Sequence, residues 1–149
     1  MNRDYEIVRV TADMMDEIEI IERTCFTSPW SRNSLESEAF APYGCWFAAV
    51  KGCDVCGFIG THVLGDEGEI INVAVMPEHR RHGLARAMIE KYLAENPELS
   101  QVFLEVRQNN FPARTLYSSL GFEEYNIRRN YYENPVEDAI LMRLAPKER

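Results

Sequence analysis

Gly68-Glu69-Ile70-Ile71-Asn72-Val73-Ala74-Val75-Met76-Pro77-Glu78-His79-Arg80-Arg81-His82-Gly83-Leu84-Ala85 is the stretch on which the fold turns. Residues Glu69–Met76 are apolar at nearly every position rather than alternating, the pattern of a strand covered on both faces of its sheet. Pro77 ends the strand, because proline cannot donate to a ladder. The chain then turns into a helix whose Leu84, Ala85, Met88, Ile89, Tyr92 and Leu93 recur at helical spacing down to Asn96-Pro97.

The charge in this turn is misplaced for a helix start. Arg80, Arg81 and Arg86, with His79 and His82, crowd the end that carries roughly half a positive charge. No Ser, Thr, Asp or Asn stands at the cap position to take up the free N–H groups. Both anomalies vanish if a phosphate-bearing ligand docks there: the amides cradle it, the arginines neutralise it, and Gly83 lets it approach. A solvated basic turn is the plain alternative. The turn lacks the Gly-Lys-Ser/Thr ending of an ATP-cradling loop and has one glycine where a dinucleotide fingerprint needs three.

The rest of the chain frames this unit. Its 149 residues suit one domain, expected over 1–149. The longest apolar run, Cys45–Val50, is far short of the roughly 20 residues of a membrane span, and the charged start from Arg3 to Glu6 holds no signal-peptide core. A cytoplasmic protein with four free thiols is expected; Cys53-x-x-Cys56 lacks a second pair, so no metal is expected. A net charge of −8 argues against direct nucleic-acid binding and suits a basic partner.

Strands are expected at Tyr5–Val10, Cys45–Lys51, Val55–Leu64, Glu69–Met76, Gln101–Arg107, Glu124–Tyr132 and Ala139–Leu144. Thr11 can cap a helix bearing Met14, Ile18, Ile21 and Cys25, and Ser31 a short one bearing Leu35, Ala39 and Phe40. Asn110 can cap a helix bearing Ala113, Leu116, Tyr117 and Leu120, stopped by Gly121. This order implies a mixed sheet with helices on both faces and one parallel pair at its centre.

Two residues are candidates for chemistry, though the plainer structural reading of each is favoured on composition alone and only a family resemblance singles them out. Glu105 is a carboxylate set mid-strand among apolar residues just after the phosphate unit, though a solvated strand face shared with Arg107 would look the same. Tyr117 is a phenol on the apolar helix stripe, where a core tyrosine would also sit.

Arg80-Arg81-His82-Gly83-Leu84-Ala85 resembles the Arg/Gln-x-x-Gly-x-Gly/Ala loop of the GNAT N-acetyltransferases, and Leu116-Tyr117-Ser118-Ser119-Leu120-Gly121-Phe122 resembles that family's Leu-Tyr-x-x-x-Gly-Phe. Pro29-Trp30-Ser31, Asn72-Val73-Ala74-Val75, Leu104-Glu105-Val106-Arg107, Asn110, Arg128-Arg129-Asn130-Tyr131-Tyr132 and Glu137-Asp138-Ala139-Ile140 extend the likeness to the ribosomal-protein alanine N-acetyltransferases. The resemblance implies an α+β fold with a central, mostly antiparallel seven-stranded sheet, splayed at a parallel pair where acetyl-coenzyme A binds. It implies Glu105 as general base and Tyr117 as general acid. Val73, Ala74 and Val75 would hold the pantetheine arm, Arg80, Arg81, His82, Gly83, Leu84, Ala85 and Arg86 the pyrophosphate, and Asn110 and Tyr117 the rest of the cofactor.

Trp30, Asn72 and Tyr131 are the residues expected to meet the acceptor. By the same resemblance this is a protein N-terminus, a basic ribosomal protein with a terminal alanine, and the enzyme is a monomer or weak dimer. His82 stands where the family carries arginine or lysine, which weakens one phosphate contact. Phe111-Pro112 follow Asn110 where small residues are common. A small-molecule amine acetyltransferase and a coenzyme-A-binding module without catalysis remain open alternatives.

Overall fold

The computed structural model describes residues 4–146, so the first residues of the charged N-terminal run, Arg3 included, lie outside the described residues. The seven strands are β1 (Glu6–Arg9), β2 (Phe47–Lys51), β3 (Asp54–Leu64), β4 (Glu67–Val75), β5 (Gln101–Arg107), β6 (Glu123–Tyr132) and β7 (Glu137–Leu144). The α-helices are α1 (Met15–Cys25), α2 (Arg32–Ala39), α3 (Leu84–Glu95) and α4 (Phe111–Ser119). One sheet runs β1-β2-β3-β4-β5-β7-β6, antiparallel at every pairing except β4–β5.

Helices α3 and α4 pack on one face through Leu84, Met88, Ile89, Tyr92, Tyr117 and Leu120. Helices α1 and α2 pack on the other through Met15, Ile18, Ile21, Leu35 and Ala39. The first layer covers β5 and β7, burying Val102, Leu104, Val106, Ile140, Met142 and Leu144. The second core takes no residue from β5, β6 or β7. Among the described residues, therefore, no helix packs over the sheet face that carries Phe103, Glu105 and Arg107.

Strand β4 serves both cores because its register with β3 shifts between Gly60 and Thr61, leaving Ile71 as the extra residue. One inserted residue reverses which face each side chain meets. Ile70 lies in the α3 core, Ala74 in the α1 core, and Val73 and Val75 pack against the α3 side. The unbroken apolar run thus belongs to a strand that changes faces part-way. Gly68, the second residue of that strand, admits no side chain: a Cβ there would lie 2.0 Å from the Tyr92 hydroxyl, which itself donates to the His62 carbonyl at 2.7 Å.

Local expectations fare unevenly. Ser31 caps α2, accepting from the Ser34 N–H at 3.1 Å, and Asn110 caps α4, accepting from Ala113 at 3.3 Å. Thr11 does not cap α1. Its hydroxyl goes to Asp13, and a 3-10 turn at Ala12–Met14 intervenes before the helix starts at Met15. That extra turn rotates Met15 rather than Met14 into the core, and Glu22 joins Ile18 and Ile21 on the buried stripe. Phe40 falls just past the end of α2 and is 49% exposed.

Candidate active site

Pairing between β4 and β5 runs only from Glu67–Gln101 to Ile70–Leu104, though both strands continue. Beyond Ile70 they splay. The Met76 N–H donates to the Cys56 carbonyl, which fixes the hydrogen-bonded pairs of β3–β4 at 56/76, 58/74 and 60/72. The peptide groups of Val73 and Val75 therefore point away from β3, into the splay. Those of Ala74 are taken by Phe58, and its side chain is buried, so only its two neighbours offer backbone to a ligand. Arg80 Nε already donates to one of these groups, the Val75 carbonyl, at 2.9 Å.

The loop that follows carries two left-handed residues, Arg81 at φ 69° and Gly83 at φ 73°. Gly83 precedes α3 with no side-chain cap, so the first N–H groups of the helix face outward. A Cβ on Gly83 would meet nothing within 4 Å, so the space before those amides is open. Arg81 is exposed, His82 packs against the Tyr5 ring at 5.4 Å, and Tyr5 hydrogen-bonds His79 Nδ1 at 2.9 Å. Arg86 is turned toward α4, donating to the Ser119 hydroxyl. The loop can hold an anion by amides, helix dipole and cationic side chains together.

On the open face, Glu105 is gathered with residues from the β6–β7 hairpin. Arg128 Nη1 lies 3.5 Å from its carboxylate, and the Tyr131 hydroxyl donates to it, which with burial holds the Tyr131 hydroxyl above the usual phenol range. Tyr132 is close enough to feel both Glu105 and Tyr117, and burial raises its hydroxyl further still. Tyr117 is 7% exposed in the α3 core, against Phe122, and burial pushes its hydroxyl up to about 12. It therefore stays protonated, and able to donate, at neutral pH.

Arg107 organises this corner. Its guanidinium donates to the carbonyls of Glu133 at 2.7 Å and Pro135 at 2.9 Å, pairs with Glu137, reaches Thr27 at 3.5 Å and lies 4.5 Å over the Tyr132 ring. Asn134 Nδ2 adds a bond to the Ser28 hydroxyl. The hairpin tip and the α1–α2 loop are thereby tied together beside Glu105. Trp30, from that loop, lines an open cleft of about 460 Å³ with Asn33, Ser34, Ser37 and Glu38.

A model of the acetyltransferase (GNAT) family matches residues 15–122, well over half the chain. The chain belongs to that family. It is 38% identical over 128 residues to the [ribosomal protein bS18]-alanine N-acetyltransferase of Escherichia coli (strain K12), spanning 83% of this chain and 86% of that one. The enzyme so named from Salmonella typhimurium (strain LT2) is 37% identical over 131 residues, spanning 83% and 86%. The crystal structure of the ribosomal-protein-S18-alanine N-acetyltransferase from Escherichia coli superposes with a TM-score of 0.88 at 34% identity, covering 95% of this chain and 93% of that one. The protein is thus an acetyltransferase of the GNAT fold, with the seven-stranded mixed sheet and central parallel pair anticipated from its sequence.

Of the residues anticipated at the site, the fold sets Val73 and Val75 at the splay, Arg81, His82 and Gly83 at the open helix start, and Tyr131 on Glu105. Asn110 has its oxygen engaged in the α4 cap, and Arg80 is folded onto β4. Sequence reasoning quoted Arg107, Arg128 and Tyr132 within family motifs but assigned them no place in the site, because their roles depend on how β6 crosses β5 through β7. It also passed over Glu22, whose one signal is a carboxylate at apolar helix spacing from Met15 and Ile18. Among the described residues no three His, Cys, Asp or Glu side chains come together to hold a metal, and no helix is long and apolar enough to cross a membrane.

Proposed function

We propose that this enzyme acetylates the α-amine at a protein N-terminus, the terminal alanine of a small-subunit ribosomal protein first among candidates, using acetyl-coenzyme A. The observation that carries this reading is the splay that opens just past Ile70–Leu104, with Glu105 as the next residue on β5 and an anion cradle at the far end of β4. The names of the bS18-alanine enzymes at 37–38% identity support the same acceptor.

Bound acetyl-coenzyme A supplies the activated acetyl group. Arg81, His82 and Arg86 with the amides of Leu84 and Ala85 hold its pyrophosphate, and the peptide groups of Val73 and Val75 hold its arm. Glu105 accepts the proton that the amine gives up on attack, directly or through one water. Tyr117 donates its proton toward the departing sulfur. Tyr131, Trp30 and Asn72 line the approach of the acceptor. The enzyme works in the cytoplasm, as a monomer or weak dimer, without nucleic acid.

Proton affinity favours a terminal amine over lysine. An α-amine has a pKa of about 7.7–8.0 and a lysine about 10.4, a gap of roughly 2.5 units, or about 3.4 kcal/mol that the site need not supply. A net charge of −8 also draws in a basic tail, at a rate that falls as salt rises. The test is a peptide carrying an N-terminal alanine and an internal lysine, incubated with enzyme and acetyl-coenzyme A and then fragmented by mass spectrometry. Acetyl on the terminus is expected. Acetyl on the lysine, or on neither while spermidine is consumed, overturns the reading.

A further inference from the structure

Glu22 lies on the buried stripe of α1, 1% exposed, in an apolar layer with Met15, Ile18, Ile21 and Trp46. Both its oxygens are engaged. Oε2 accepts from the Trp30 backbone N–H at 2.9 Å, and Oε1 accepts from Asn72 Nδ2 at 2.8 Å. One side chain thus joins α1 to the loop at the cleft and to β4 directly after its bulge. Burial raises the Glu22 carboxyl above its ordinary range, and the two hydrogen bonds oppose that shift only in part. Burial opposes the ionised form, but both groups that face the two oxygens, the Trp30 N–H and the Asn72 NH2, are donors, the arrangement that suits an accepting carboxylate.

A carboxylate only accepts hydrogen bonds, whereas an amide has one accepting and one donating end. Facing Glu22, the Asn72 amide must turn its NH2 inward and its carbonyl oxygen away. Asn72 and Glu105 stand on the same sheet face, on the two strands that flank the splay: Asn72 is bonded to α1, and Glu105 alternates with Leu104 and Val106, which face α3. Resting on the acceptor reading above, we propose that Glu22 is a positioning residue for the acceptor amine. It fixes the Asn72 amide so that an oxygen, not an NH2, is offered to the amine N–H groups, and it anchors Trp30 at the cleft.

The test compares wild type, Glu22→Gln, and the double variant Glu22→Gln/Asn72→Asp. Acceptor KM and kcat are measured on a peptide with an N-terminal alanine, coenzyme A affinity by calorimetry, and Tm by thermal unfolding. A glutamine at the α1 position lets the Asn72 amide turn over. The expected result is an acceptor KM raised about five- to tenfold, the effect of one ordinary net hydrogen bond, with coenzyme A affinity unchanged and Tm equal or higher. In the double variant the introduced glutamine can donate to the introduced aspartate and accept from the Trp30 N–H, which leaves one aspartate oxygen free for the amine. Its KM should return to within about twofold of wild type.

A Glu22→Gln enzyme with wild-type KM overturns the proposal. So does a KM rise that the double variant does not reverse, or one that tracks losses of Tm and coenzyme A affinity. These outcomes, in a wild type that acetylates the peptide, leave the proposed function standing; a wild type inactive on the peptide overturns both.

Discussion

Arg80 Nε donates to the Val75 carbonyl at 2.9 Å, and Cys25 Sγ approaches the same oxygen at 3.6 Å. The first arginine of the anion loop is thus drawn back along β4, while Arg81 beside it stands exposed at φ 69°. The two should contribute unequally to cofactor binding. Arg81→Ala is expected to weaken coenzyme A binding about tenfold or more, as for a charge-assisted phosphate contact. Arg81→Gly, which relieves the left-handed backbone, should weaken it as much, and Arg80→Ala less. Calorimetry decides; equal losses would put Arg80 on the phosphate.

Gly83 combines φ 73° with empty space where a Cβ would stand. Two effects can be separated there. Gly83→Asn keeps a residue that tolerates the left-handed region, while Gly83→Val does not. Both place atoms in front of the α3 amides, so both should lose coenzyme A binding, whereas only the valine variant should lose appreciable Tm. Retained affinity in the asparagine variant would move the anion off this helix start.

His82 offers the loop an imidazole in place of a permanent cation, and its ring rests on Tyr5. His82→Arg should tighten coenzyme A binding several-fold at low salt, and the gain should shrink as salt rises, as expected of an exposed charge. Titrations at two ionic strengths check it; no gain at low salt would mean that residue 82 does not reach the phosphates.

Glu105→Gln and Tyr117→Phe are each expected to lower turnover by about 100- to 10,000-fold, the range of general acid–base groups, with little change in coenzyme A affinity. Tyr117 carries a separate pH signature. Its folded value of about 12 lies above the ordinary phenol value of about 10, so the stability tied to it is complete below pH 10 and is lost as pH rises from 10 through about 12. The Tm of the wild type should therefore fall more steeply over that window than that of Tyr117→Phe. Parallel curves would contradict a buried phenol.

Arg107→Lys retains the charge but not the fork that binds the Glu133 and Pro135 carbonyls together. It should raise the acceptor KM more than it changes coenzyme A affinity, because the hairpin it secures carries Tyr131 to Glu105 on the proposed acceptor side. A peptide titration beside a coenzyme A titration tests this. An equal effect on both would show that the hairpin also shapes the cofactor cleft.

What the sequence determined by itself was whatever local physics controls. Helix and strand periods located every strand to within a few residues, Pro77 and Gly121 ended their elements, and Ser31 and Asn110 announced their caps. The misplaced positive charge between Arg80 and Arg86 pointed to the proposed anion site, because cations at a helix start are unfavourable without an anion to neutralise them. Tertiary structure decided what no spacing encodes. The shifted β3–β4 register turned a continuous apolar run into a strand serving two cores, so that Val73 and Val75, but not Ala74, offer their backbone to the splay. Strand β6 brought Arg128, Tyr131 and Tyr132 to Glu105 from more than twenty residues away in sequence. Glu22 became part of the site only once the α1 stripe and the β4 bulge faced each other. Periodicity tells which face of an element is buried; which polar groups meet across that face is set by registers and bulges, and those arise only when the elements pack.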